Sequence, residues 1–121
     1  FGPDGVRGPA PEILNQRFVT CLATAASEVL PADRWIIGRD TRESGPALSE
    51  AIMSAISNNG LTAVNVGVIP TPVVAYLSNV ENSGGIVVSA SHNLWTDNGV
   101  KIFAPGGRKL RDEEQLTIEN G

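Results

Sequence analysis

The chain has one cysteine, one histidine and few basic residues, and each shortage removes a class of protein. With Cys21 alone, no disulfide can close within the chain. Cys21 lies in an alanine-rich helical stretch, where a small apolar thiol is expected to be inert and partly buried. With His92 alone, a multi-histidine metal site is excluded. No run of about 18 apolar residues is present to span a membrane. The first residues lack the pattern of a secretory leader, so a cytoplasmic protein is expected. Nine Lys and Arg stand against 13 Asp and Glu, giving a formal charge of −4, which argues against a nucleic-acid partner. Three familiar loops are also missing: the Gly-x-Ser-x-Gly elbow, Gly-x-x-x-x-Gly-Lys and Gly-x-Gly-x-x-Gly.

What is present is one domain's worth of chain, with 121 residues of which 41% are hydrophobic. It opens on Phe1 and stops inside an acidic, helix-like segment, so a piece of a larger protein is expected. Residues 1–11 hold three glycines and three prolines and read as loop. Leu14, Phe18, Leu22, Ala25 and Val29 then recur at helical spacing up to Pro31. Trp35-Ile36-Ile37-Gly38 reads as a buried strand. Ser44 is placed to cap a second helix, with Pro46 in its first turn and Gly60 as its stop. Leu61 to Val68 alternates as a strand, with Val64, Val66 and Val68 on one face. Thr71-Pro72 starts a third helix, Gly85 to Ser89 reads as a strand, and Asp97-Asn98-Gly99 reads as a turn. Val100 to Ala104 is a further strand that Gly106-Gly107 turns into an antiparallel edge hairpin, and Asp112 begins a last helix. The alternation predicts an α/β fold, a three-layer α/β/α sandwich on a mixed, mostly parallel sheet.

Three polar loops follow strands: Arg39-Asp40-Thr41-Arg42, Pro70-Thr71-Pro72 and Ser89 to Asn93. In a parallel sheet the carboxyl ends of the strands share one side, so these loops are expected to converge where ligands bind. Ser91 needs a base, a metal or prior modification to react. Neighbouring side chains on an extended segment point apart, so His92 is poorly placed as its base, and a Ser-His-Asp hydrolase is disfavoured. Ser91 and Asn93 either cap a turn or carry chemistry. His92 either makes loop hydrogen bonds or donates to a phosphate oxygen. Lys101 is either a solvated strand residue or a positive charge beside the Ser91 loop. Arg7, among glycines, is either a surface residue or a phosphate contact.

Four ordered segments together resemble the α-D-phosphohexomutase superfamily. They are Phe1-Gly2-Pro3-Asp4-Gly5-Val6-Arg7-Gly8, Ile37 to Gly45, Val68 to Leu77, and Ser89-Ala90-Ser91-His92-Asn93 with Asp97-Asn98-Gly99-Val100-Lys101. Within the superfamily the likeness is greatest to the phosphoglucosamine mutases, with phosphomannomutases and phosphoglucomutases as alternatives. The resemblance implies that Ser91 is carried as phosphoserine and exchanges its phosphoryl group with a phosphosugar. It implies Lys101 as acid/base or electrostatic support, and Arg7 and His92 as contacts of the phosphoryl group. Asn93, Thr41 and Arg42 would lie near the substrate or its phosphate. A Mg²⁺ would bind through the phosphate of Ser91 and through aspartates of another domain. Family members have four domains. Residues 1–121 would be domain I, its partners being the remaining domains and the phosphosugar, with no nucleic acid and no membrane. The alternative is an isolated, non-catalytic domain that binds a phosphosugar or a partner. Two positions depart from the family pattern: Leu94 stands where proline is usual, and Pro3 where threonine is usual.

Overall fold

Trp35-Ile36-Ile37 and Ile86-Val87-Val88 are apolar on both faces, which suits strands covered by helices from both sides. In the computed structural model they lie side by side at the centre of a six-stranded sheet. The structure describes residues 6–9, 16–42, 44–89, 97–111, 113, 114 and 118. The strands are β1 (Val6–Pro9), β2 (Arg34–Arg39), β3 (Thr62–Val68), β4 (Gly84–Val88), β5 (Asp97–Ala104) and β6 (Arg108–Lys109). The helices are α1 (Gln16–Val29), α2 (Gly45–Asn58) and α3 (Thr71–Glu81). Sheet order is β1-β5-β4-β2-β3, and β6 pairs with the far end of β5. β2 runs parallel to both β3 and β4, while β5 is antiparallel to β4, β1 and β6. Among these strands β5 alone is reversed, so the sheet is mixed and mostly parallel in direction.

Strand alternation divides the core in two. Trp35, Ile37, Ile86, Val88, Val100, Ile102 and Ala104 pack with α1 and α2. Ile36, Val87 and Phe103 pack with Val74 of α3 on the opposite face. Three layers result, as expected from the sequence. Two strand glycines are fixed by close approach to side chains. A Cβ on Gly38 would lie 2.7 Å from Val74 Cγ2, and one on Gly84 would lie 2.5 Å from the Trp35 ring.

Five local expectations are corrected. Residues 6–9 are not loop but β1, because β5 offers them a ladder partner: Val6 pairs with Val100 and Pro9 with Asp97. For the same reason Asp97-Asn98-Gly99 is strand rather than turn. β5 is therefore not an edge; β4 flanks it on one side, β1 and β6 on the other. Cys21 is exposed. The buried residues of α1 are Val19, Leu22, Ala23, Ala25, Ala26 and Ser27, and Cys21 lies just outside that face, about 200° around the helix from Val19. Val68 does not share a face with Val64 and Val66. A bulge skips Val66 between the pairs Ile37–Asn65 and Gly38–Gly67, with Gly67 at φ +75°, and the extra residue turns Val68 over.

The helix boundaries shift less. α2 starts where expected, with Ser44 at the N-cap position and Pro46 in the first turn, although the Ser44 side chain makes no capping bond to the helix. α3 extends from Thr71 to Glu81 and ends on Asn82 in the left-handed region at φ 50°. The expected helix start before Gln16 lies outside the described residues, as does Asp112.

Candidate active site

The carboxyl ends of β2 and β4 come out beside each other, and backbone hydrogen bonds continue past both strands. Asp40 N donates to Val88 O at 3.1 Å, and Ile69 N donates to Arg39 O at 3.0 Å. The loops after β2, β3 and β4 thus start from one end of the sheet, as parallel strands require. Beyond β4, Ser89 N donates to Gly99 O of β5 at 2.8 Å. Gly99 is paired in turn with Arg7 of β1. A row of four positions, Asp40, Ser89, Gly99 and Arg7, therefore crosses four strands at the point where the chain leaves for residues 90–96.

Asp40 is the hub of this row. Its Oδ1 accepts Arg42 N at 3.1 Å, closing an Asx-type turn, and its Oδ2 accepts both Arg42 Nη1 and Ser89 Oγ, the latter at 2.9 Å. Arg42 is 4% exposed. A guanidinium buried to that degree is held by ionic and hydrogen-bonding partners, and the Asp40 carboxylate is one of them. Thr41, between these two residues, is exposed on the rim. Gly45 N closes the loop by donating to Arg42 O at 3.0 Å, so the turn leads directly into α2.

Lys101 follows Gly99 by two residues on β5 and is paired with Val87 of β4. Strand alternation puts it on the α3 face with Phe103, and its Nζ lies 5.5 Å from the centroid of that ring. It is half-buried. Its backbone stands two residues along β5 from the Ser89–Gly99 bond. Arg7 is placed by register only, opposite Gly99. Ser91, His92 and Asn93 lie outside the described residues.

Sequence reasoning picked out the Arg39 to Arg42 loop but chose Thr41 and Arg42 from it. It passed over Asp40 and gave Ser89 no role. The available signal was an aspartate two residues before an arginine, the spacing of an Asx turn. The partner of Asp40 is 49 residues away, and no local pattern points to it. Among the described residues, no group of three or more His, Cys, Asp or Glu side chains could hold a metal ion. None of their helices is long and apolar enough to cross a membrane.

The model of the family "Phosphoglucomutase/phosphomannomutase, alpha/beta/alpha domain I" matches residues 1–121. The chain belongs to this family. Its relatives include the phosphoglucosamine mutase of Deinococcus deserti, 46% identical over 98% of this chain, and that of Mycobacterium tuberculosis strain H37Ra, 43% identical over 99%. The chain spans 28% of the length of each. A similar solved structure is a Phosphoglucomutase/phosphomannomutase family protein from Burkholderia thailandensis. Its TM-score is 0.82 at 26% identity, over 96% of this chain and 28% of that one. A Thermus thermophilus protein assigned as a phosphomannomutase superposes with a TM-score of 0.88 at 30% identity, over 99% of this chain and 29% of its own. The phosphohexomutase reading therefore covers every segment that suggested it, and the α/β/α fold is that of domain I.

Proposed function

We propose that residues 1–121 are the phosphoserine-bearing domain of a phosphoglucosamine mutase, in which they form one wall of a four-domain active site. In the whole enzyme the reaction would interconvert glucosamine-6-phosphate and glucosamine-1-phosphate. The observation that carries this reading is the row Asp40–Ser89–Gly99–Arg7 at the end of β4, just before Ser91 in the sequence, with Lys101 two residues on from Gly99. It holds the end of β4, two residues before Ser91 in the sequence, against strands that carry Lys101 and Arg7. The names of the relatives, phosphoglucosamine mutases at 43–46% identity, favour the amino sugar over mannose or glucose.

Each residue type then has a task. Phosphoserine at Ser91 turns a weak nucleophile into a phosphoryl donor. In the first transfer, the P–O bond to Ser91 breaks and one to a sugar hydroxyl oxygen forms. The hydroxyl proton leaves as the Ser91 oxygen is protonated, and the product is a sugar bisphosphate. The second transfer returns the other phosphoryl group to Ser91. Such reactions depend on positioning and on neutralising charge. Lys101 supplies a cation on the β5 side, as acid/base or electrostatic support. Arg7 stands on β1 opposite Gly99, and His92 follows Ser91 directly in the sequence; both are assigned to the phosphoryl group. Asn93, Thr41 and Arg42 border it, Arg42 by shaping the loop from inside. A Mg²⁺ would be held through the phosphate of Ser91 and by carboxylates beyond residues 1–121, where it would neutralise phosphoryl charge.

The test is made on a full-length enzyme carrying this domain. Phosphopeptide mapping is expected to find one phosphoryl group, on the peptide that contains Ser91. Ser91→Ala is expected to abolish mutase turnover. Full activity in that variant would overturn the assignment.

A further inference from the structure

Ser89 stands two residues before Ser91, and its surroundings are built to hold it still. Its hydroxyl donates to Asp40 Oδ2 at 2.9 Å and its backbone N–H to Gly99 O at 2.8 Å. The first bond reaches the end of β2, the second reaches β5, and Gly99 is paired onward to β1. Asp40 is itself fixed twice, by Asp40 N on Val88 O and by the two donations from Arg42. β4 ends at Val88; past it Ser89 keeps one backbone bond to β5, and its side-chain bond ties it to Asp40 after β2. Of these three hydrogen bonds to the Asp40 carboxylate, the one from Ser89 crosses between loops.

From this geometry we propose that Ser89 and Asp40 are positioning residues for phosphoryl transfer. The Ser89–Asp40 bond sets the place from which the chain leaves β4 toward Ser91. Neither residue is assigned a contact with the transferring group. Together they fix the end of β4, two residues before Ser91 in the sequence, against Gly99 of β5 and its pairing with Arg7 of β1. Phosphoryl transfer draws its rate from such placement, and an error of about 1 Å can cost about 10²-fold. This inference rests on the phosphoserine reading above and adds to it the residues that aim the serine.

The experiment uses the full-length enzyme and three variants. Ser89→Ala removes the cross-loop bond and leaves Asp40 its bonds to Arg42. Its kcat is expected to fall about tenfold or more, with KM within about threefold, since placement and not binding is lost. Its thermal midpoint is expected to stay within about 4 °C of the parent. Ser89→Thr keeps the hydroxyl and is expected to restore kcat to within about threefold. Ser91→Ala serves as the reference for the phosphoserine reading itself. If Ser91→Ala is inactive while Ser89→Ala matches the parent in kcat and KM, the positioning role is wrong and the phosphoserine reading stands. If Ser91→Ala is active, that underlying reading fails instead. If Ser89→Ala and Ser89→Thr lose activity and thermal midpoint together, Ser89 is only a packing residue and the proposal is overturned.

Discussion

Asp40 and Gly84 show how differently two residues can be read from a sequence. Gly84 looks like any glycine before a β run. In the fold its missing side chain is the seat for the Trp35 ring, with which it is paired across β2 and β4. Both residues are buried, so neither the ring nor the strand has room to retreat. Gly84→Ala is therefore expected to destabilise the domain by about 2–3 kcal/mol, as overpacked cores do. Urea denaturation of the two proteins measures the difference; an unchanged midpoint would show that Trp35 can move aside. Asp40 is the opposite case. Its turn with Arg42 was legible from spacing, but its bond to Ser89 was not, because chain separation hides contacts that only sheet order creates. The chemistry-bearing residues Ser91, Lys101, His92 and Arg7 were chosen by residue type and motif resemblance. The fold contributes the alignment of Arg7 and Lys101 about Gly99.

The elements that sequence periodicity described best were those with one long buried face. α1 and α2 follow the 3.6-residue spacing because both press on the same side of the sheet. β2 and β4 were clear because continuous apolar runs are what a doubly covered strand requires. β3 was half legible: its alternation was real up to the bulge at Val66, which no local signal except Gly67 announced. β1 was missed because it is short and full of glycine and proline, and it exists through its pairing with β5. The end of α3 carries a prediction of its own. Asn82 sits at φ 50° and ψ 47°, where its N–H returns to Asn79 O and Ser78 O and so closes the helix. Asn82→Ala is expected to cost about 1 kcal/mol, because alanine lacks the tolerance of asparagine for the left-handed region. Asn82→Gly is expected to stay within about 0.5 kcal/mol of the parent. Equal losses for both, measured by chemical denaturation, would mean that the side chain of Asn82 matters more than its backbone.

Across the whole molecule, β5 is the feature that organises the candidate site. It runs against its neighbours and enters the sheet between β4 and β1, which brings residue 7 beside residue 99. Deleting residues 1–9 is expected to uncover the 97–100 stretch of β5 and leave an unpaired strand edge. The shortened chain should unfold at lower urea and elute as larger species on size-exclusion chromatography. A monomer with the parent's urea midpoint would show that β1 adds nothing to the sheet. Local spacing and ordered motifs were enough for the α/β class, the elements with strong buried faces, the exclusion of disulfide and multi-histidine chemistry, and the family. They were not enough to show that β1 is a strand, that β5 lies inside the sheet, or that Asp40 holds Ser89. Those facts depend on which strands become neighbours, and neighbours in a sheet are selected by long-range pairing and burial rather than by nearby residues.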